Sequence, residues 1–240
     1  MKSLKKLRAL FQKAGGWDTI LQYIRGHVLF FALFQILCQG LSKKSLEIVR
    51  LAVSNRLLGK LRRKYRKVIA AWQLENPNVL SLPQESSGKI WVCWFQGIEQ
   101  APPLVKRCYR SLQENLYDRE IILITEENYR QYVTFPENIQ QKIDRGIISR
   151  THMSDLLRLE LLIRYGGTWV DATLFCSGQV PAYMLDSPLF LFQNLKPGLD
   201  GHATSISNWF ITAHTNNPLL LLTQHLLYTY WSKYDKLVDY

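Results

Sequence analysis

Between Ser154 and Asp171 the chain reads SDLLRLELLIRYGGTWVD, an apolar helical stretch stopped by two glycines and followed at once by a strand-like run. Ser154 is a candidate helix cap, the periodic residues carry the helix through Arg164, and Gly166-Gly167 suits the left-handed turn that ends it. Thr168 to Phe175 then reads as a strand. A helix that feeds a strand through so short a turn commits this region to an α/β arrangement. Asp155 and Arg158, three apart, share a helix face, where the carboxylate can accept from a ribose hydroxyl or hold the arginine. Asp171 falls in the strand that follows.

The same alternation begins upstream. Pro77, Pro83 and the polar stretch Gln84 to Gly88 mark a linker over 76–88, after which Lys89 to Phe95 is a compact apolar strand ending at Gln96-Gly97. Val105 to Asn115 is an amphipathic helix and Glu120 to Thr125 a short buried strand, which makes a strand-helix-strand unit. Ligands of such units sit at the carboxyl ends of the strands, and Gln96-Gly97 occupies one.

Charge separates this region from what precedes it. Residues 1–75 hold 16 Lys or Arg against 3 Asp or Glu, so the net +11 of the 240-residue chain belongs to the first third, and 76–240 is slightly acidic. Lys2, Lys5, Lys6, Arg8 and Lys13 precede an apolar run, Val28 to Cys38, about half the length of a membrane-spanning helix. The run starts too late for a signal peptide, and no small-residue cleavage site follows it. Ser45 to Trp72 then places Leu46, Val49, Val53, Leu57, Leu61, Val68 and Trp72 at helical spacing among basic residues. Residues 1–75 therefore read either as a basic amphipathic region attached peripherally to the anionic inner face of a plasma membrane, or as a helical subdomain with a solvated basic face. No nucleic-acid motif accompanies the charge, so no nucleic-acid partner is expected. Cys38, Cys93, Cys108 and Cys176 have no metal-ligand spacing, and reduced thiols in the cytoplasm are expected.

Ser154, Asp155, Arg158, Leu162, Gly166, Gly167, Trp169 and Asp171 together resemble the S-D-x-x-R-x-x-x-L-x-x-x-G-G-x-W/Y-x-D signature of the DXD-type sugar transferases, the group of α-mannosyl and α-galactosyl transferases with a GT-A fold. The ending GG-x-W-x-D-A-T is similar to that of the capsular polysaccharide synthesis protein family. Its upstream W-x-x-W-x-Q-G-x-x-x-A-P resembles Trp91, Trp94, Gln96, Gly97, Ala101 and Pro102. The resemblance covers 89–240 and implies a GT-A-like nucleotide-sugar-binding domain, with hexosyl transfer from a nucleotide sugar to a capsular or lipid-linked polysaccharide precursor.

In that reading Asp171 orients a divalent cation and the diphosphate, Asp155 and Arg158 hold ribose or sugar hydroxyls, and Trp94, Gln96 and Gly97 approach the nucleotide. Gly166 and Gly167 belong to the substrate-binding set, and Asn208 and Trp209 lie toward the acceptor. The broader group has Asp-x-Asp where this chain has Asp171-Ala172-Thr173, so one expected carboxylate is a threonine. Mn²⁺ or Mg²⁺ can still be held by one or two carboxylates plus the substrate's phosphates. Asp186 and His152 are further candidate contacts for acceptor and phosphate, while His202, His214 and His225 share no ligand spacing. Relatives of this type usually continue past the helix that starts at Leu219 with a histidine-bearing segment, so the domain is expected to end early here. A non-catalytic assembly protein that keeps the fold is the alternative to an enzyme.

Overall fold

The protein is described by a computed structural model over residues 16–193 and 206–237. Lys2, Lys5, Lys6, Arg8, Lys13 and His202, singled out from the sequence, lie outside the described residues. The chain divides into two compact units, one through Arg66 and the other formed by Lys67–Gln193 with Ile206–Asp235.

In the first unit, α1 (Gly16–Arg25) and α2 (Leu29–Gln39) precede α3 (Lys43–Glu75), which continues past the division. Val28 and Ala32 pack with Val49, Val53 and Leu57 to form its core. Lys60 Nζ donates to the carbonyls of Gly26 and His27 at 2.9 and 3.0 Å, a cation placed on the acceptors left free where α1 ends. The apolar run at 28–38 is thus a helix, and among the described residues no helix is long and apolar enough to cross a membrane.

The second unit is a mixed α/β sandwich. Its elements run β1 (Lys89–Cys93), α4 (Pro103–Asn115), β2 (Glu120–Ile124), α5 (Tyr129–Tyr132), α6 (Glu137–Asp144), α7 (Arg150–Tyr165), β3 (Gly167–Val170), α8 (Ala182–Leu185), β4 (Leu189–Gln193), β5 (Ile206–Ala213) and α9 (Pro218–Lys233). Prolines at the first turns of α4 and α9 fit positions where a missing N–H costs nothing.

The five strands are ordered β2-β1-β3-β5-β4, with β1 parallel to both β2 and β3 and β5 antiparallel to both of its neighbours. Ile90, Val92, Val170 and Phe210 pack with Val105 and Leu112 of α4 on one face. On the other, α7 packs against β1, β3 and β5, and the register partners Trp91 and Trp169 are buried there at 0% and 2% exposure. Each such ring is worth about 2–3 kcal/mol of hydrophobic burial. With α4 and α7 on opposite faces, the connections leaving β1 and entering β3 run on opposite sides of the sheet. The carboxyl ends of β1 and β3 therefore flank a topological switch point, where open α/β sheets form their ligand crevice.

Residues Leu156 to Ile163 of α7 are all buried, so this helix is covered on nearly every side. Its buried carboxylate, Glu160, is satisfied by Gln224 Nε2 at 2.7 Å and by the Tyr228 hydroxyl, both on α9.

The structure corrects several boundaries. Helix α7 is capped by Ser149, whose Oγ accepts from His152 N, and Ser154 lies one turn inside, where its hydroxyl turns back to the Thr151 carbonyl at 2.7 Å. β3 ends at Val170 and not at Phe175: Asp171 N makes the last bond in register with β5, to the Trp209 carbonyl at 2.9 Å, and Leu174 N then closes a turn onto the Asp171 carbonyl at 2.9 Å.

Candidate active site

Ending β3 at Val170 sets the Asp171 side chain at the carboxyl edge of the sheet, on the same face as Trp169 two residues earlier. The Trp169 indole donates to Asp171 Oδ1 at 2.8 Å, and Arg158 Nη2 approaches the same oxygen at 3.3 Å. Among the described residues Asp171 Oδ2 accepts nothing, and the side chain is 36% exposed. One oxygen is therefore fixed and the other is available.

Arg158 comes from the third turn of α7 and is 5% exposed. Its Nη1 donates to the Asn208 carbonyl at 3.0 Å and contacts Asp155 Oδ1 at 3.1 Å, while its guanidinium carbon lies 4.8 Å from the Trp169 ring centre. Its Nε is buried without a partner. The spacing that put Asp155 and Arg158 on one face makes them neighbours, and the arginine binds them both to the strand end. Asn208 Nδ2 adds a long bond of 3.3 Å to Asp155 Oδ1, and His152 Nδ1 stands 3.4 Å from Oδ2.

Asp155, Arg158, Trp169, Asp171 and Asn208, though not His152, line a cavity of about 540 Å³ with Cys93, Trp94, Phe95 and Gln96 from the end of β1, Arg150 and Thr151 from the first turn of α7, and Ala172 and Thr173 beyond β3. Trp94 Nε1 is buried without a partner. The amino end of a sixteen-residue helix carries partial positive charge, so a negatively charged ligand here meets a favourable dipole. Arg150 adds a full charge, held by Glu126 at 2.7 Å and lying 5.2 Å over the Phe95 ring. Burial pushes the Cys93 thiol up to about 12, which Arg158 offsets only in part, so it is a neutral wall and not a nucleophile. A larger cavity, about 730 Å³ between Trp72–Leu82 and α9, lacks any such cluster of carboxylates around an arginine.

Of the residues singled out from the sequence, Asp155, Arg158, Asp171, Trp94, Gln96 and Asn208 meet in this one cavity. Gly97 closes the turn beside it, its N–H on the Trp94 carbonyl at 2.9 Å; its φ of +78° is the reason for glycine, since a Cβ would meet nothing within 4 Å. Gly166 and Gly167 lie at the other end of β3, about 13 Å of strand from Asp171. The Gly166 carbonyl accepts from Trp91 Nε1 at 2.8 Å, and a Cβ on Gly167 would stand 2.3 Å from the Lys89 carbonyl oxygen. Both glycines serve the approach of β3 to β1 and neither lines the cavity. Trp209 also stays outside it, its ring stacked on Phe192 at 4.6 Å and its carbonyl holding Asp171 N. Asp186 forms a two-pronged ion pair with Arg119 at 2.7 and 3.1 Å, which keeps its carboxyl below the usual range.

Arg150, Thr151, Phe95 and Trp169 join the site without having been singled out as its residues. Trp169 was within the motif, and its spacing of two from Asp171 in a strand was the signal for a shared face. Arg150 carried no such signal, because Glu126 is distant in sequence.

Among the described residues no three His, Cys, Asp or Glu side chains are grouped to hold a metal ion. The donor set fits a hard divalent cation only in part: the available Asp171 oxygen, with the neutral Thr173 hydroxyl on the same cavity wall, leaves most ligands to water and substrate oxygens.

The model of the family described as "Capsular polysaccharide synthesis protein" matches residues 38–240. A curated relative, the "O-glycosyltransferase braB" of Annulohypoxylon truncatum, is 27% identical over 180 residues, 67% of this chain and 40% of that protein. The "O-glycosyltransferase PaGT" of Phomopsis amygdali is 28% identical over 98 residues, 37% of this chain and 24% of that protein. The matched stretches thus span less than half of either relative. Among solved structures, the "PaToxG Glycosyltransferase" superposes with a TM-score of 0.45 at 16% identity, covering 74% of this chain and 71% of that one. By the family match, which takes in both the β1 and the β3 ends of the cavity, the chain belongs to the capsular polysaccharide synthesis protein family.

Proposed function

We propose that the chain is a glycosyltransferase whose cavity at the ends of β1 and β3 binds a nucleotide-sugar donor and passes its sugar to an acceptor hydroxyl. The observation that carries this reading is Asp171, with one carboxylate oxygen fixed by Trp169 and Arg158 and the other available at the switch point of an α/β sheet. The names of the two fungal relatives support transfer to oxygen. The family description supports a polysaccharide precursor as the acceptor. A hexosyl unit is the natural payload, as in the mannosyl and galactosyl transferases whose signature the chain resembles. Residues 89–240 form the transferase domain in this reading, of GT-A type, with 76–88 as its linker.

Transfer breaks the bond from the anomeric carbon to the diphosphate, whose oxygen leaves with the electron pair, and forms a bond to the acceptor oxygen, whose proton is taken up by the departing diphosphate. Charge builds on the departing diphosphate, so the site must offer positive charge there. The amino end of α7 and Arg150 supply part of it from this chain. Mn²⁺ or Mg²⁺, held by Asp171 and the diphosphate, would neutralise more of that charge. Arg158 is committed to Asp155 and Asp171, and its part is to hold both carboxylates in place. Asp155 and Asn208 then face sugar or ribose hydroxyls, and Gln96 and Trp94 border the nucleotide.

A thermal-shift panel of nucleotide sugars, each with and without Mn²⁺, tests the reading, because a ligand that binds the folded state raises its melting temperature. A selective rise names the donor and reports on the cation together. A flat panel contradicts donor binding and favours an assembly protein without turnover.

A further inference from the structure

We propose that the outward face of α2, Phe30, Leu33, Phe34, Leu37 and Cys38, seats on an anionic lipid bilayer, lying in its surface without crossing it. The proposal does not rest on glycosyl transfer. No residue of α2 is charged, and its two sides are treated differently by the fold. The inner side is covered, with Ala32 packed among Val49, Val53 and Leu57 of α3. The outer side is bare: Phe30 is 87% exposed, Leu37 83%, Phe34 60% and Leu33 52%.

These positions recur three and four apart, so they form one stripe along the eleven-residue helix, about 16 Å long. An apolar stripe of that length left in water requires an apolar counterpart. Half-exposed Leu21 and Ile24 of α1 and Leu41 beyond α2 add to the apolar surface of this unit.

The charge around the stripe selects the counterpart. From Leu21 to Arg66 there are ten Lys or Arg and a single carboxylate, Glu47. Lys43 and Lys44 are exposed and follow α2 after only three residues, and Arg62, Arg63 and Arg66 are exposed further along α3. A protein interface places mixed polar groups at its rim and depletes lysine. A nearly single-sign basic field beside a shallow apolar wedge matches anionic headgroups over acyl chains, to which each near-surface cation contributes about 1 kcal/mol.

Cys38 provides a native reporter on the stripe, because it is exposed while Cys108 and Cys176 are buried and Cys93 is held neutral. The full chain, labelled there with an environment-sensitive thiol probe, is titrated with phosphatidylcholine–phosphatidylserine vesicles, and flotation of unlabelled chain provides a second measurement. The probe should shift to the blue, and affinity should fall at least about tenfold on pure phosphatidylcholine or in high salt. The double variant Phe34→Gln, Leu37→Gln should weaken binding by about tenfold or more, ~1.4 kcal/mol, with an unchanged unfolding transition, since both side chains are already exposed. Absence of flotation with anionic vesicles at low salt overturns the proposal, as does flotation that the double variant leaves unaltered. Self-association abolished by the same variant, without flotation, assigns the face to a second copy and also overturns it.

Discussion

Trp169 Nε1 donates to Asp171 Oδ1 across 2.8 Å, a bond between residues two apart at the end of β3 whose indole is almost wholly buried. The bond makes Trp169 a positioning residue: it fixes the plane of the carboxylate while leaving the second oxygen available. Trp169→Phe keeps a ring in the core and removes the donor. A hydrogen bond to a charged group contributes about 1.5–3 kcal/mol, so kcat for glycosyl transfer should fall about 10–100-fold. Steady-state kinetics check the division, with KM for the donor nearly unchanged; a purely structural role would lower the melting temperature and spare kcat of the folded fraction.

Arg158 holds Asp155 at 3.1 Å and Asp171 at 3.3 Å from a buried position. Arg158→Met fills similar space and leaves both carboxylates without their cation. Because they are about one-third exposed, water takes part of the load, and the loss should be ~2–3 kcal/mol, below the ~3–5 kcal/mol of a fully buried broken pair. The urea unfolding midpoint measures this loss. Arg158→Lys should recover part of the stability but little activity, since a point charge cannot serve Asn208, Asp155 and Asp171 together.

Gly167 separates a structural from a substrate-binding role. Its φ is +93°, and a Cβ would be 2.3 Å from the Lys89 carbonyl oxygen, so Gly167→Ala must push β3 away from β1. The expected cost exceeds ~3 kcal/mol. Denaturant unfolding should show it, while KM for the donor in the remaining folded protein stays near the parent value.

The Cys93 thiol rises from an ordinary 9.0 to about 12, chiefly through burial. A raised thiol is neutral over a wider range, so its contribution to stability is fully present below pH 9 and lost as pH climbs toward 12. Iodoacetamide at neutral pH should alkylate Cys38 and spare Cys93 in the native protein, read by peptide mass spectrometry. Replacing Cys93 by Ala should flatten the alkaline loss of stability between those two values.

Local pattern carried much of this architecture. The helical run from Leu156, the β-branched run at Glu120–Ile124 and the glycine pair predicted helix, strand and stop near where α7, β2 and the α7–β3 turn stand. Asp155, Arg158 and Asp171 stood out through the motif they share with the sugar transferases; spacing alone put the first two on one helix face, and the early end of β3, which brings Asp171 to the edge of the sheet beside them, was not visible in it. What sequence could not supply was set by partners far along the chain. Ser149 and Ser154 are both good caps, and the helix takes Ser149, with Met153 of the added first turn fully buried. The glycines looked like substrate contacts because nothing local reveals the Lys89 carbonyl against Gly167. Asp186 is paired with Arg119, 67 residues earlier, and Arg150 with Glu126. Pairings of this kind become visible only once the sheet order is known.

The most direct test of the account compares sugar release and transfer by the parent chain and by Asp171→Asn, using the donor picked out by thermal shift. Asparagine can still accept from Trp169 and leaves the fold intact, but it lacks the charge and the anionic second oxygen. The account predicts a loss of turnover of about 10²–10³-fold or more, with an unfolding transition that stays cooperative and falls by no more than ~1–2 kcal/mol because Arg158 keeps Asp155. Equal turnover by the two proteins would contradict it.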